Sequence, residues 1–223
     1  MSDLTDTTVL VTGASGRLGR VLLRHLADAG ATVAGIALDA PSDPPAGLHF
    51  ALADATDEAA LQAAFAALRA EAGPFDVVIH AVGMWDGGPL AETTLDAWTT
   101  VMDVNLTASF LCVRESVQLF LRDGGGRLVG IASQQGADGA PAQQAAYAAS
   151  KAGLIRLFEA AAAEHADDGI QALTIAPSML LFGGEDPATR GVSAEDVAAL
   201  CAHLCTDAGA AHNGATLRMY GAK

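Results

Sequence analysis

The stretch from Thr7 to Leu26 restricts the fold more than any other part of the chain. Thr7-Thr8-Val9-Leu10-Val11 is a β-branched apolar run that reads as a buried strand. Thr12-Gly13-Ala14-Ser15-Gly16-Arg17-Leu18-Gly19 follows at once, and Arg20-Val21-Leu22-Leu23-Arg24-His25-Leu26 continues as an amphipathic stretch. Glycine is needed where a Cβ would hold the backbone away from a phosphate, and the free N–H groups of a helix N-terminus favour an anion. Alone, three glycines in eight residues make an ordinary tight turn. Between a strand and a helix they read as the phosphate-binding opening of a dinucleotide fold.

The rest of the chain repeats the alternation. Strands are expected at Ala31–Ala37, after Gly30 ends the first helix, and then at Leu48–Ala53, Asp76–Ile79, Arg127–Ala132, Gln171–Ala176 and Leu217–Tyr220. Between them lie a helix capped by Thr56 with Asp57 and Glu58 in its first turn, and a long helical region from about Leu95 to Arg122 capped by Thr93 or Thr94. A further helix spans Ala145 to Ala166, and one begins at the capping box Ser193-Ala194-Glu195-Asp196 and runs to about Cys205. This order predicts α/β architecture, a doubly wound parallel sheet in one domain over residues 1–223, with no linker or repeat. Residues 178–192, rich in Gly and containing Pro187, have no clear element. Gly13–Gly19, Asp54, His80–Gly83, Ser133 and Pro177 directly follow strands, so one crevice at the carboxyl ends can hold them all.

Charge and composition narrow the partners. The 26 acidic residues outnumber 12 Lys and Arg, for a net charge of −14, which argues against nucleic acid and anionic membranes. Apolar residues form 51% of the chain, yet no run reaches membrane-spanning length, and Met1–Asp6 lacks signal-peptide character. Cys201 and Cys205 stand four apart in an expected helix without further ligands at metal spacing; with Cys112 they read as small core residues, and no metal is expected. The absence of a disulfide framework points to a reducing cytoplasm.

Tyr147 and Lys151 stand four residues apart in the Ala-rich stretch Tyr147-Ala148-Ala149-Ser150-Lys151, on one face of a helix. An ammonium beside a phenol favours the phenolate, which brings a weak acid toward useful proton transfer. With this pair the ordered series is complete: the Thr12–Gly19 turn, Asp54, His80-Ala81-Val82-Gly83, Asn105 in Asp103-Val104-Asn105-Leu106, Ser133 after Val129-Gly130-Ile131-Ala132, Tyr147/Lys151, Pro177, and Gly214-Ala215-Thr216-Leu217. From about Thr7 to Gly221 the chain resembles the short-chain dehydrogenase/reductase family.

That resemblance implies a Rossmann-type sheet and an NAD(P)(H)-dependent oxidoreductase that interconverts a carbonyl and a secondary alcohol on a small molecule. It assigns Tyr147 as acid or base, Ser133 as a hydrogen-bonding partner of the reacting oxygen, and Lys151 as the tuner of Tyr147 and holder of the nicotinamide ribose. Asn105 would steady a water that passes the proton on. Gly13, Ser15, Gly16, Arg17, Leu18, Gly19, Asp39, Asp54, Ala55, Ala81, Val82, Gly83 and Pro177 would contact the cofactor with Tyr147 and Lys151. Trp85, Gln134 and Met179, with Met84, Gln135 and Leu180, would line the substrate pocket.

Three departures from the family pattern bear on this. The glycines fall at 13, 16 and 19, with Arg17 where many members carry the middle one. The acid that usually ends the second strand is replaced by Ala37, and Asp39 comes two positions later. Residues 178–192 form a short substrate loop, with Ser178 where glycine is common, which suggests an open site. Loss of the acid and the presence of Arg17 favour NADP(H); an Asp39 turned toward the ribose would favour NAD(H). The alternatives are a dinucleotide-binding regulatory protein without turnover, against which the complete Asn105/Ser133/Tyr147/Lys151 set counts, and a pterin-type ring reductase. Small and apolar residues on the two long helices (Ala108, Leu111, Val117, Leu154, Leu157, Ala161) exceed one packed face, and the family pairs these helices between subunits, so a homodimer or homotetramer is expected.

Overall fold

A computed structural model of the chain describes residues 2–186 and 188–221; Pro187 of the 178–192 segment lies outside them. The elements run β1 (Thr8–Thr12), α1 (Arg17–Asp28), β2 (Thr32–Ala37), β3 (His49–Leu52), α2 (Glu58–Ala72), β4 (Val77–His80), α3 (Leu95–Met102) and α4 (Ala108–Asp123). They continue with β5 (Gly126–Ile131), α5 (Gln134–Ala137), α6 (Ala145–Glu164), β6 (Ile170–Pro177), β7 (Leu180–Leu181), β8 (Val192–Ser193), α7 (Ala194–Leu204) and β9 (Thr216–Met219).

Seven strands form one parallel sheet in the order β3-β2-β1-β4-β5-β6-β9. The strands read as continuous apolar runs because helices cover both faces. Successive side chains of β1 divide between two cores. Leu10 packs with Phe65, Phe120 and Phe158 of α2, α4 and α6, while Val9 and Val11 pack with Leu22 and Leu26 of α1 and Val197 and Cys201 of α7. Each such fully buried side chain stabilises the fold by about 1.5–3 kcal/mol relative to exposure. The chain winds outward from β1 to β3 and then crosses back to β4 on the other side of β1. The reversal opens a crevice at the carboxyl ends of β1 and β4.

The expected elements are present, with local differences. Asp57, not Thr56, caps α2, accepting from Ala60 N at 3.0 Å; Thr56 instead donates from its N–H and hydroxyl to Asp54 Oδ1. Thr94 caps α3 and Ser193 caps α7. The long helix is interrupted by a π-helical segment at Asp103–Thr107. There the Ser109 hydroxyl donates to the Asn105 carbonyl at 2.6 Å, which competes with the regular ladder and widens the turn. Near the ends of the 178–192 segment, β7 pairs in parallel with β8, with Leu180 opposite Val192. Of the residues behind the expected subunit contacts, Ala108, Leu111, Val117, Leu154 and Ala161 are buried within this one chain and Leu157 is partly buried against the same core. They are spent on the intramolecular core, and the exposed apolar side chains of α4 are Phe110 and Leu121.

Candidate active site

The carboxyl ends of β1, β4, β5 and β6 and the first turns of α6 surround a cavity of about 650 Å³. That is the size of a small-molecule or cofactor site. The glycine turn forms one wall. Gly13 adopts φ +74°, and a Cβ there would stand 2.8 Å from the Ala81 carbonyl oxygen, so only glycine lets β1 turn against the end of β4. At Gly16 no side chain caps α1, which leaves the helix N-terminus open on the cavity wall formed by Gly16, Arg17, Leu18 and Gly19. A glycine cradle against an uncapped helix end fits the phosphates of a dinucleotide.

Beneath the cavity runs a buried polar chain. His80 ends β4 in register with Thr12 of β1 and is fully buried. Its Nδ1 lies 2.8 Å from Thr12 Oγ1 and its Nε2 lies 2.9 Å from Ser109 Oγ. Burial, assisted by the charge of Lys151, lowers its pKa to about 3, so the ring is neutral. Ser109 gives its one proton to the Asn105 carbonyl. Nε2 must therefore donate to Ser109, and Nδ1 accept from Thr12, which fixes the tautomer. The Asn105 side chain accepts from Met84 N at 2.7 Å and donates to Met84 O at 2.9 Å and Ser150 Oγ at 3.0 Å. Ser150 in turn donates to the Tyr147 carbonyl at 2.7 Å. The network thus ties the ends of β1 and β4 to the turn of α6 that carries Tyr147. Both amide protons of Asn105 are used, leaving its side chain no donor for a water.

Tyr147 and Lys151 enter the cavity from α6, and Ser133 enters from the end of β5. The structure departs from the expected electrostatics at Tyr147. Burial raises its pKa, and a hydrogen bond with Ser133 opposes the rise. The Lys151 amine is directed to the Ile131 carbonyl at 3.0 Å instead. Burial also lowers the Lys151 pKa to about 8. A Cβ at Gly83 would come within 3.0 Å of Lys151 Nζ, so a glycine there leaves room for the amine. The Ser133 hydroxyl donates to Gln135 Oε1.

Of the residues singled out in the sequence, Gly13, Gly16, Arg17, Leu18, Gly19, Ala81, Gly83, Ser133, Tyr147, Lys151, Pro177, Trp85 and Met179 line this cavity. Ser15 lies in the glycine turn outside the lining, and Val82 packs toward the core. Asn105 lies below the floor. Asp54 and Asp39 are exposed beyond β3 and β2, and Ala55 is buried. Asp54 is held below the ordinary carboxylate range by the Thr56 N–H and then by the Thr56 hydroxyl. Gln134 is not a lining residue; the short helix α5 turns Gln135 to the cavity in its place. Sequence reasoning missed Gln144 and Phe182, which line the cavity, and the roles of His80, Ser109 and Ser150. A signal existed for His80, since it and Thr12 are polar residues closing two apolar strand runs. Arg17 stands at the mouth, 3.9 Å above the Phe182 ring and 3.9 Å from Glu185 Oε1.

The family model for the short chain dehydrogenases matches residues 7–185. The chain is 32% identical to the D-threitol dehydrogenase of Mycolicibacterium smegmatis, over 96% of this chain and 91% of that one. It is 31% identical to the cis-4-hydroxycyclohexanecarboxylate dehydrogenase of Sinomonas cyclohexanicum, over 97% and 96% of the two chains. The crystal structure of a levodione reductase superposes with a TM-score of 0.89 at 25% identity, covering 98% and 97%. The chain belongs to the short chain dehydrogenase family. It is an NAD(P)(H)-dependent oxidoreductase acting between alcohol and carbonyl, and neither alternative, the regulatory protein or the pterin-type reductase, is favoured. No helix among the described residues is long and apolar enough to cross a membrane.

Proposed function

We propose that Tyr147 is the proton-transfer group of this oxidoreductase, acting on a small ketone or secondary alcohol whose oxygen sits between Tyr147 and Ser133. The single observation that carries this reading is the meeting of Tyr147, Ser133 and Lys151 in one cavity with an uncapped glycine turn. Bound NAD(P)(H) supplies or accepts the hydride. Tyr147 gives its proton to the carbonyl oxygen in reduction and takes the hydroxyl proton in oxidation. Ser133 hydrogen-bonds the same oxygen. Lys151 would hold the nicotinamide ribose with the protons its hydrogen bond to Ile131 leaves free, and would tune Tyr147. Asn105 is a positioning residue: its amide fixes Met84 and Ser150 rather than a water.

The N–H groups of Arg17, Leu18 and Gly19 would take the pyrophosphate, with Gly13, Ser15 and Gly16 shaping the turn. Asp54, Ala55, Ala81, Val82, Gly83 and Pro177 would complete the contacts to the cofactor. NADP(H) is preferred over NAD(H), because Ala37 places no charge at the end of β2 and the exposed Arg17 can pair with a 2′-phosphate. The Arg17–Glu185 pair is long and solvent-screened, so a phosphate outcompetes it. Trp85 and Met179 meet the substrate; Gln134, off the cavity lining, does so only through α5. A homodimer or homotetramer, using Phe110 and Leu121 among its contacts, and a cytoplasmic location complete the proposal.

Deuterium tracing tests the chemistry. With NADPH deuterated at the transferable position of the nicotinamide, the deuterium is expected at the carbinol carbon of the alcohol product. Product carbon labelled from heavy water instead, or no product from any ketone with either nucleotide, would overturn the reading.

A further inference from the structure

Two glutamine amides border the reacting groups, and neither serves the fold. Gln144 immediately precedes α6 and lines the cavity, one helical turn before Tyr147. Its side chain does not cap the helix, and its Oε1 is buried with no hydrogen-bond partner among the described residues. A buried acceptor left unpaired costs about 1–3 kcal/mol. The last torsion of a glutamine has a soft profile, so the amide can turn into the cavity when a donor arrives there. Gln135 Oε1 has a partner only because it takes the Ser133 proton. Once Ser133 turns that proton to a substrate oxygen, the Gln135 amide is released and can offer its N–H to a neighbouring hydroxyl.

We infer that Gln144 and Gln135 together read a hydroxyl group on the carbon next to the reacting carbon, so that the substrate is an α-hydroxy ketone or the matching vicinal diol. This rests on the placement of the reacting oxygen at Ser133 and Tyr147. Gln135 lies one hydrogen bond from Ser133, and the two oxygens of a vicinal diol are separated by about one hydrogen-bond length. A hydroxyl neighbouring the reacting oxygen therefore reaches the Gln135 amide, and Gln144 lines the same cavity. That hydroxyl gives its one proton to Gln144 Oε1 and accepts from the Gln135 amide N–H. A site built to bond a hydroxyl rejects an analogue without one more strongly than an apolar pocket rejects a missing methylene.

Matched ketones test this: acetoin against butanone, and the hydroxylated cyclohexanone against cyclohexanone, each reduced by the wild type, Gln144→Met and Gln144→Glu. The wild type is expected to favour the hydroxylated member in kcat/KM by about 10- to 100-fold. Gln144→Met, which keeps the bulk and removes the acceptor, collapses that ratio about tenfold or more, chiefly through KM. Gln144→Glu, which keeps an acceptor oxygen, retains most of it. Binding without turnover is read in parallel from the thermal shift each ketone adds to nucleotide-loaded Tyr147→Phe, where the hydroxylated ketones should give the larger shift. Equal use of both members by the wild type, or a ratio unmoved in Gln144→Met, overturns the inference and leaves the oxidoreductase reading intact. No turnover of any ketone with either nucleotide, and no added thermal shift, overturns both.

Discussion

Beneath the cleft, Thr12, His80, Asn105, Ser109 and Ser150 are fully buried and joined by hydrogen bonds, whereas along its rim Trp85 and Met179 are more than half exposed and Arg17 rests on Phe182. The two regions differ in what a substitution costs. A buried hydroxyl or imidazole that loses its partner is left unsatisfied inside the protein, so the floor permits few arrangements. An exposed rim residue returns to water when its partner goes. On the proposed function, the proton-transfer groups beside this floor are fixed by folding, while rim residues such as Arg17, Trp85 and Met179 can change without disturbing them.

That contrast is sharpest at Lys151, a charged group buried on the floor. Lys151→Met should lower turnover by about 100-fold or more and weaken nucleotide binding as well. It should not destabilise the ligand-free protein at neutral pH, because it removes a buried charge. The Lys151 pKa is depressed from 10.5 to about 8, so the unfolded chain holds more protons between these values and wild-type stability gains there as pH rises. Chemical melts across this range should show the gain in the wild type and its absence in Lys151→Met. On the rim, Arg17→Ala should weaken NADP(H) by on the order of ten- to a hundredfold and leave NAD(H) nearly unchanged, by titration of both nucleotides. Equal small losses would assign Arg17 to the Phe182 and Glu185 contacts and make Asp39 the next residue to vary.

A smaller effect is expected at His80. His80→Leu leaves Thr12 without its acceptor and Ser109 without a donor, at a cost of about 1–3 kcal/mol in denaturant melts. With the His80 pKa depressed from 6.5 to about 3, the unfolded chain takes a proton that the folded state refuses. Wild-type stability is therefore full above about pH 6.5 and falls toward pH 3. His80→Leu should remove this part of the acid slope; an unchanged slope would show that His80 is not held neutral by the fold.

The sheet was legible because each strand is a short β-branched run closed by a turn, and buried parallel strands carry that pattern in full. The same is true of the glycine turn and the Tyr147/Lys151 spacing, which are local. What the sequence concealed depends on contacts distant along the chain. The π-helical segment at Asp103–Thr107 arises because Asn105 reaches back to Met84 and Ser109 bonds its carbonyl, which no helical periodicity reveals. The choice of Gln135 over Gln134 is set by the direction of one short helix. The hydrogen bond of Lys151 to the Ile131 carbonyl was hidden for the same reason, because a different strand supplies it.

The most direct test of the floor as the seat of proton transfer is turnover by Tyr147→Phe, measured beside nucleotide affinity in the same preparation. Phenylalanine keeps the ring and its packing and deletes only the hydroxyl. The expected result is nucleotide binding within a few-fold of wild type, with turnover reduced about 100-fold or more. A folded Tyr147→Phe protein that binds nucleotide and retains wild-type turnover would contradict the account.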